Sequence, residues 1–153
     1  MKVIIPNRPY QLLFEHRPGY LYVYVGSDMN SLEVAAGYWI EILSVVDERE
    51  YKRVLIEKDV TQPLPVHHVF HLISRLAHTG HHSDVKFAVW DHHYDRKRCE
   101  FKELVASNRG FNLKIAPTLA EAETWLSSQR RTSITRKRSR VTRGNFTGRP
   151  MAA

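Results

Sequence analysis

Asp59 and Asp91 each close a short apolar run, Arg53-Val-Leu-Ile-Glu-Lys-Asp59 and Val85-Lys-Phe-Ala-Val-Trp-Asp91, and each is followed by a polar loop and a helical pattern. Two carboxylates so placed could hold a magnesium ion for phosphoryl transfer, or one of them could accept a phosphoryl group itself. The companions of either chemistry are missing. No glycine-rich loop cradles a phosphate, no base is placed beside the acids, and the final strand ends Lys114-Ile-Ala-Pro117 where a receiver-type site would carry Lys-Pro. We expect no catalysis and no cofactor.

The nine histidines raise metal binding as the next chemistry. His67 and His71 are spaced i, i+4, which puts them on one face of a helix, and Asp91 or His92 could supply a third ligand from the following strand end. The general-base glutamate of the two-histidine zinc motif is absent, and a loop as polar as Asp91-His-His-Tyr-Asp95 is ordinarily solvated. His67, His71, Asp91 and His92 are therefore weak metal candidates, and no metal is favoured. Aromatic recognition has a better candidate. Tyr20, Tyr22 and Tyr24 alternate with Leu21, Val23 and Val25, so a strand here presents three tyrosines on one face. On an edge strand they would form a surface for a protein partner or a second copy of the chain. Trp39, Trp90 and Trp125 each fall on the apolar face of their element and read as core.

These side chains need a scaffold. The 153 residues, 42% apolar and 25% charged, suit one compact domain. Its single cysteine, Cys99, excludes an internal disulfide and suits a reducing cytoplasm, and no apolar run approaches the roughly 20 residues of a membrane span. The N-terminus has no signal-peptide layout, so a cytoplasmic protein is expected.

The net charge of +7 is uneven. Eight of the 23 basic residues lie in 130–153, with no acid among them, leaving 15 basic against 16 acidic residues in the body. Arg130, Arg131, Arg136, Lys137, Arg138, Arg140 and Arg143 sit among Ser, Thr and Gly without helical or strand periodicity, so residues 129–153 read as a disordered basic tail. Such a tail has weak affinity for nucleic acid or an anionic membrane through its charge alone.

From Gln11 to Ser128 the pattern alternates. A hairpin around Arg17-Pro-Gly19 leads to a helix opened by Asn30 or Ser31, whose apolar stripe is Leu32, Ala35, Ala36, Trp39, Ile40, Leu43 and Val46. Strand Arg53 to Glu57 follows. A proline-opened helix then buries Val66, Val69, Phe70, Ile73, Leu76 and Ala77, and Gly80 stops it. Strand Lys86 to Trp90, helix Arg98 to Arg109, strand Asn112 to Ile115 and a helix from Thr118 complete the order ββαβαβαβα. Thr118 and Glu121 have capping-box spacing. This is an α/β domain over 11–128 with a mixed, mostly parallel sheet and crossover helices.

The unit Val54-Leu-Ile-Glu-Lys-Asp-Val-Thr61, the strand Phe87-Ala-Val-Trp-Asp91, the segment Ala106-Ser-Asn-Arg-Gly110 and the ending Thr118-Leu-Ala-Glu-Ala-Glu-Thr-Trp-Leu126 resemble the small bacterial STAS domains, the SpoIIAA-like anti-sigma-factor antagonists. The resemblance covers roughly residues 11 to 128. It implies a non-enzymatic regulatory module that binds a protein partner and is switched by phosphorylation of a Ser or Thr where the helix after the central strand begins. The matching positions are Asp59 and Thr61. A dianionic phosphate gains there from helix N–H groups while disrupting a neutral interface. This chain departs from the family by replacing Asp-Ser-Ser/Thr-Gly with Asp-Val-Thr-Gln-Pro-Leu-Pro. Asp and Thr also serve turns by bonding local backbone. The alternatives to a partner-binding module are a small-ligand or lipid binder using the space between helices, and a polyanion-associated accessory protein acting through the tail.

Overall fold

The structure is a computed structural model, and it describes residues 2–3 and 8–128. Pro18-Gly19 makes the first turn: Gly19 has φ +89°, a left-handed conformation that a β-carbon disfavours. It joins β2 (Gln11–Arg17) to β3 (Tyr20–Ser27) as an antiparallel hairpin with Leu13 opposite Tyr24. A two-residue strand, β1 (Lys2–Val3), pairs antiparallel along the outer side of β2. It is too short to show an alternation, and the sequence pattern begins only at Gln11.

Four helices and three further strands follow: α1 (Leu32–Arg49), β4 (Arg53–Val60), α2 (Val66–Ala77), β5 (Lys86–Asp91), α3 (Arg96–Asn108), β6 (Asn112–Ala116) and α4 (Leu119–Ser127). The strands lie in chain order across one sheet, and β3 to β6 run parallel. Each crossover from β3 onward therefore advances one strand in the same direction. With a common hand, such crossovers place their helices on one face of the sheet, and α1, α2 and α3 share a core with one side of every parallel strand. After β6 the chain turns to the opposite face, where α4 packs on β4, β5 and β6.

The main core joins Leu21, Val23, Val25, Val54, Ile56, Phe87, Val89 and Ile115 of the sheet to the first three helices. A smaller core joins Tyr22, Leu55, Ala88 and Ala116 to Ala122 and Leu126 of α4. Burying a side chain such as Ile56 or Phe87 contributes roughly 2–3 kcal/mol of transfer free energy. The helix starts follow from their caps: Ser31 Oγ accepts from the Val34 N–H at 3.1 Å, Asp95 Oδ1 from Arg98 at 3.2 Å, and Thr118 Oγ1 from Glu121 at 3.2 Å.

Two boundaries and the buried stripes of two helices differ from the sequence pattern. β4 continues past Glu57 through Asp59 to Val60, because Asp59 pairs with Gly26 and Val60 with Ser27 in β3. Helix α3 starts two residues before Arg98, behind the Asp95 cap. In α1, Ile40 is 39% exposed while Tyr38 and Ile42 are buried, since that helix packs against both α2 and the sheet and buries a wider stripe. Val66 and Phe70 of α2 are likewise exposed, and the Arg109 guanidinium lies 4.7 Å over the Phe70 ring. Among the described residues, no helix is long and apolar enough to cross a membrane. The basic stretch 129–153, with Arg130, Arg131, Arg136, Lys137, Arg138, Arg140 and Arg143, lies outside the described residues.

Candidate functional site

Side chains alternate along a strand, and this separates the two aspartates. In β4, Val54, Ile56 and Lys58 face α1–α3, while Leu55, Glu57 and Asp59 face the α4 side. In β5, Phe87, Val89 and Asp91 face α1–α3, and Trp90 faces the α4 side. Asp59 and Asp91 thus stand at the carboxyl edge on opposite faces of the sheet. Asp91 is opposite Lys58, not opposite Asp59. A single metal ion does not bridge two carboxylates across a sheet, so the acid-pair arrangement is absent.

On the α4 side, Asp59 belongs to a chain of polar contacts. His93 Nε2 lies 2.9 Å from Asp59 Oδ1, and His92 Nδ1 is 3.8 Å from Asp59 Oδ2. His92 Nε2 bonds Glu57 Oε2 at 2.9 Å, and the Tyr22 hydroxyl donates to the same carboxyl group. The Arg17 guanidinium covers the Tyr22 ring at 3.8 Å and bonds Glu15 at 2.9 Å. Burial and the Glu57 carboxylate push the Tyr22 hydroxyl above its ordinary pKa; burial and the charge of Asp59 do the same for Tyr24. Strand β3, which carries the three tyrosines, is an interior strand between β2 and β4. Tyr22 is buried, Tyr20 and Tyr24 are half-buried, and the Tyr20 hydroxyl reaches Glu123 of α4 at 3.3 Å.

Thr61 follows β4 directly. Its N–H donates to the Ser27 carbonyl at 3.2 Å and its hydroxyl to the Asp28 carbonyl at 3.3 Å. Helix α2 begins only at Val66, behind Pro65, so Thr61 stands clear of the helix N-terminus that the family pattern implies. It lines instead a polar cleft of about 310 Å³ with Asp59, Tyr24, Gly26 and Asp28. A β-carbon at Gly26 would meet the Tyr24 hydroxyl at 2.7 Å, so glycine lets the Tyr24 ring lie along the strand toward Asp59.

On the α1–α3 side, an apolar cavity of about 80 Å³ lies between the sheet and the helices. Lys58, Asp91 and Lys102 line both this cavity and a polar chamber of about 140 Å³ outside it. Burial and the neighbouring Lys58 ammonium push the Lys102 amine down to about 8. Burial, with the Asp91 charge, raises the pKa of the Tyr38 hydroxyl, which stays neutral.

His67 and His71 are exposed on α2, Asp91 is 5% exposed beneath the helices, and His92 is held by Glu57. Among the described residues, no three metal-ligating side chains gather. No protein-family model matches the chain, and no curated protein matches it.

Lys58, Lys102 and Tyr38 escape the sequence reading as site residues. A signal existed for two of them. Lys58 shares the parity of Val54 and Ile56, and Lys102 the helical spacing of Cys99, Val105 and Ala106, so each cation falls on a buried face. His82 was also hidden. It is 3% exposed, bonds Asp47 at 2.9 Å and stacks on Phe111 with ring centres 5.9 Å apart.

Proposed function

We propose that the chain is a non-catalytic regulatory module that engages a protein partner at the carboxyl edge of its sheet, as the small bacterial STAS domains it resembles do. The supporting observation is that Tyr24, Asp59 and Thr61 share one cleft. The candidate switch residues and the half-buried Tyr24 are thereby parts of a single cleft. The location of Asp59 and Asp91 on opposite faces supports a binding role over an acid-pair chemistry. A charge added at Thr61 enters a cleft lined by Asp59 and Asp28, whose one cation, Arg8, is already paired with Glu41, so it meets like charge rather than a helix dipole. Thr61→Glu is expected to abolish capture of the partner identified with the wild-type chain, with an unchanged far-ultraviolet spectrum. Capture at the wild-type level would reject this cleft as the switch.

The cavity between the sheet and α1–α3 favours a second reading, a domain that takes up a small apolar molecule. The basic stretch 130–149 adds a weak, salt-sensitive attraction to polyanions.

A further inference from the structure

The two chambers on the α1–α3 side meet at a charged threshold. The inner one is lined by Ile56, Leu72, Ile73, Phe87 and Val89, all buried. At its outer end stand Lys58 from β4, Asp91 from β5 and Lys102 from α3, which also line the polar chamber beyond. Lys58 and Asp91 are in register on adjacent strands and face the same side. Among the described residues, neither Lys58 nor Lys102 forms an ion pair within 4 Å, although other surface cations such as Arg8, Arg17 and Lys52 do. Two ammonium groups against one carboxylate leave about one uncompensated positive charge beside an apolar space: the Lys58 and Lys102 amines stand within hydrogen-bond reach of each other, and Asp91 offsets only part of their mutual repulsion. Tyr38, 2% exposed, lines the same cavity. The Asn30 side-chain oxygen, also on the cavity wall, is buried and unbonded.

We infer that this cavity is a binding site for a small monocarboxylate with an apolar body, its carboxylate held by the adjacent Lys58 and Lys102 amines together. This rests on the second reading above, that the cavity takes an apolar molecule. A single negative charge matches the single surplus positive charge; the body is limited by volume. A cavity of about 150 Å³ takes benzene, so about 80 Å³ excludes an aromatic ring and admits a short alkyl chain whose head group lies in the polar chamber beyond. Lys102 is still mostly protonated at neutral pH, so both cations are available to the head group.

Hexanoate, 1-hexanol and hexylamine test the cavity and its threshold separately. They are titrated into the full chain with binding read from methyl resonances of Ile56 and Ile73 by nuclear magnetic resonance. Hexanoate is expected to bind at least about tenfold more tightly than 1-hexanol, and hexylamine most weakly. Lys58→Met and Lys102→Met should each remove most of the hexanoate preference while 1-hexanol still binds, and Lys58→Arg should restore part of it. Equal affinity for hexanoate and 1-hexanol would overturn the carboxylate site and leave an apolar cavity. Failure of all three probes to shift the Ile56 and Ile73 methyls would overturn the cavity reading as well.

Discussion

Lys102 holds its amine in a largely buried setting. Its amine is lowered to about 8 from 10.5, first by burial and then by the charge of Lys58, against the opposing pull of Asp91 and Cys99. Tyr38 of α1 also faces the cavity but stays neutral. Between those two values the unfolded chain binds a proton that the folded chain does not, so the stability contributed at this position rises as pH increases from about 8 to about 10.5. Below pH 8 both states are protonated and the burial cost is fully present. Lys102→Met, which removes the charge, is expected to be more stable than the wild type at roughly pH 7, with the advantage shrinking by roughly pH 10. Urea unfolding of both proteins across that range measures it. A pH-independent difference would place Lys102 in a solvated site. The Asp59 side of the edge is built differently, from half-exposed carboxylate and imidazole pairs that add binding chemistry more than stability.

At the scale of the element, the termini of α1 control how the chain enters and leaves the first crossover. The Ser31 hydroxyl accepts from Val34, and Glu50, just beyond Arg49, adopts φ +58° while its N–H reaches back to the Val46 carbonyl. Ser31→Ala is expected to cost about 1 kcal/mol by loss of the cap. Glu50→Gly should stabilise by up to about 1 kcal/mol by relieving a left-handed residue that carries a β-carbon. Chemical denaturation of the two variants checks both signs. β4 shows how pairing overrides a local pattern. The sequence pattern carries the strand only from Arg53 to Glu57, yet β3 offers partners as far as Ser27, and the strand extends until that ladder ends. This extension sends Lys58 and Asp59 to opposite faces.

At the scale of the whole molecule, a sheet in chain order with three helices on one side and one on the other gives the carboxyl edge two distinct chemistries: a polar cleft on one face and a cation-rimmed apolar cavity on the other. The folded body is close to neutral, with the charge excess in residues 130–149. Truncation after Ser128 is therefore expected to abolish steeply salt-dependent binding to single-stranded nucleic acid or anionic vesicles, with the unfolding midpoint unchanged. Equal binding by the body alone would assign the polyanion surface to the sheet edge.

Much of the architecture was legible beforehand because helix and strand periods are local. The Ser31 and Thr118 caps, the Pro18-Gly19 turn and the strand cores at Val54–Ile56 and Phe87–Val89 are all visible in short windows. Less legible was which residues a helix buries once it has two neighbours: Tyr38 replaced Ile40, and Leu72 replaced Phe70. The site was the least legible part. Sequence alone determined the alternating α/β order, the near-neutral body with its basic extension and the arrival of both aspartates at one edge of the sheet, since composition and local period contain that much. Only tertiary structure decided that Asp59 and Asp91 part to opposite faces, and that Lys58 and Lys102, 44 positions apart in the chain, share the mouth of one cavity. Strand register and helix packing place those groups together, and both depend on contacts between segments that no local window contains.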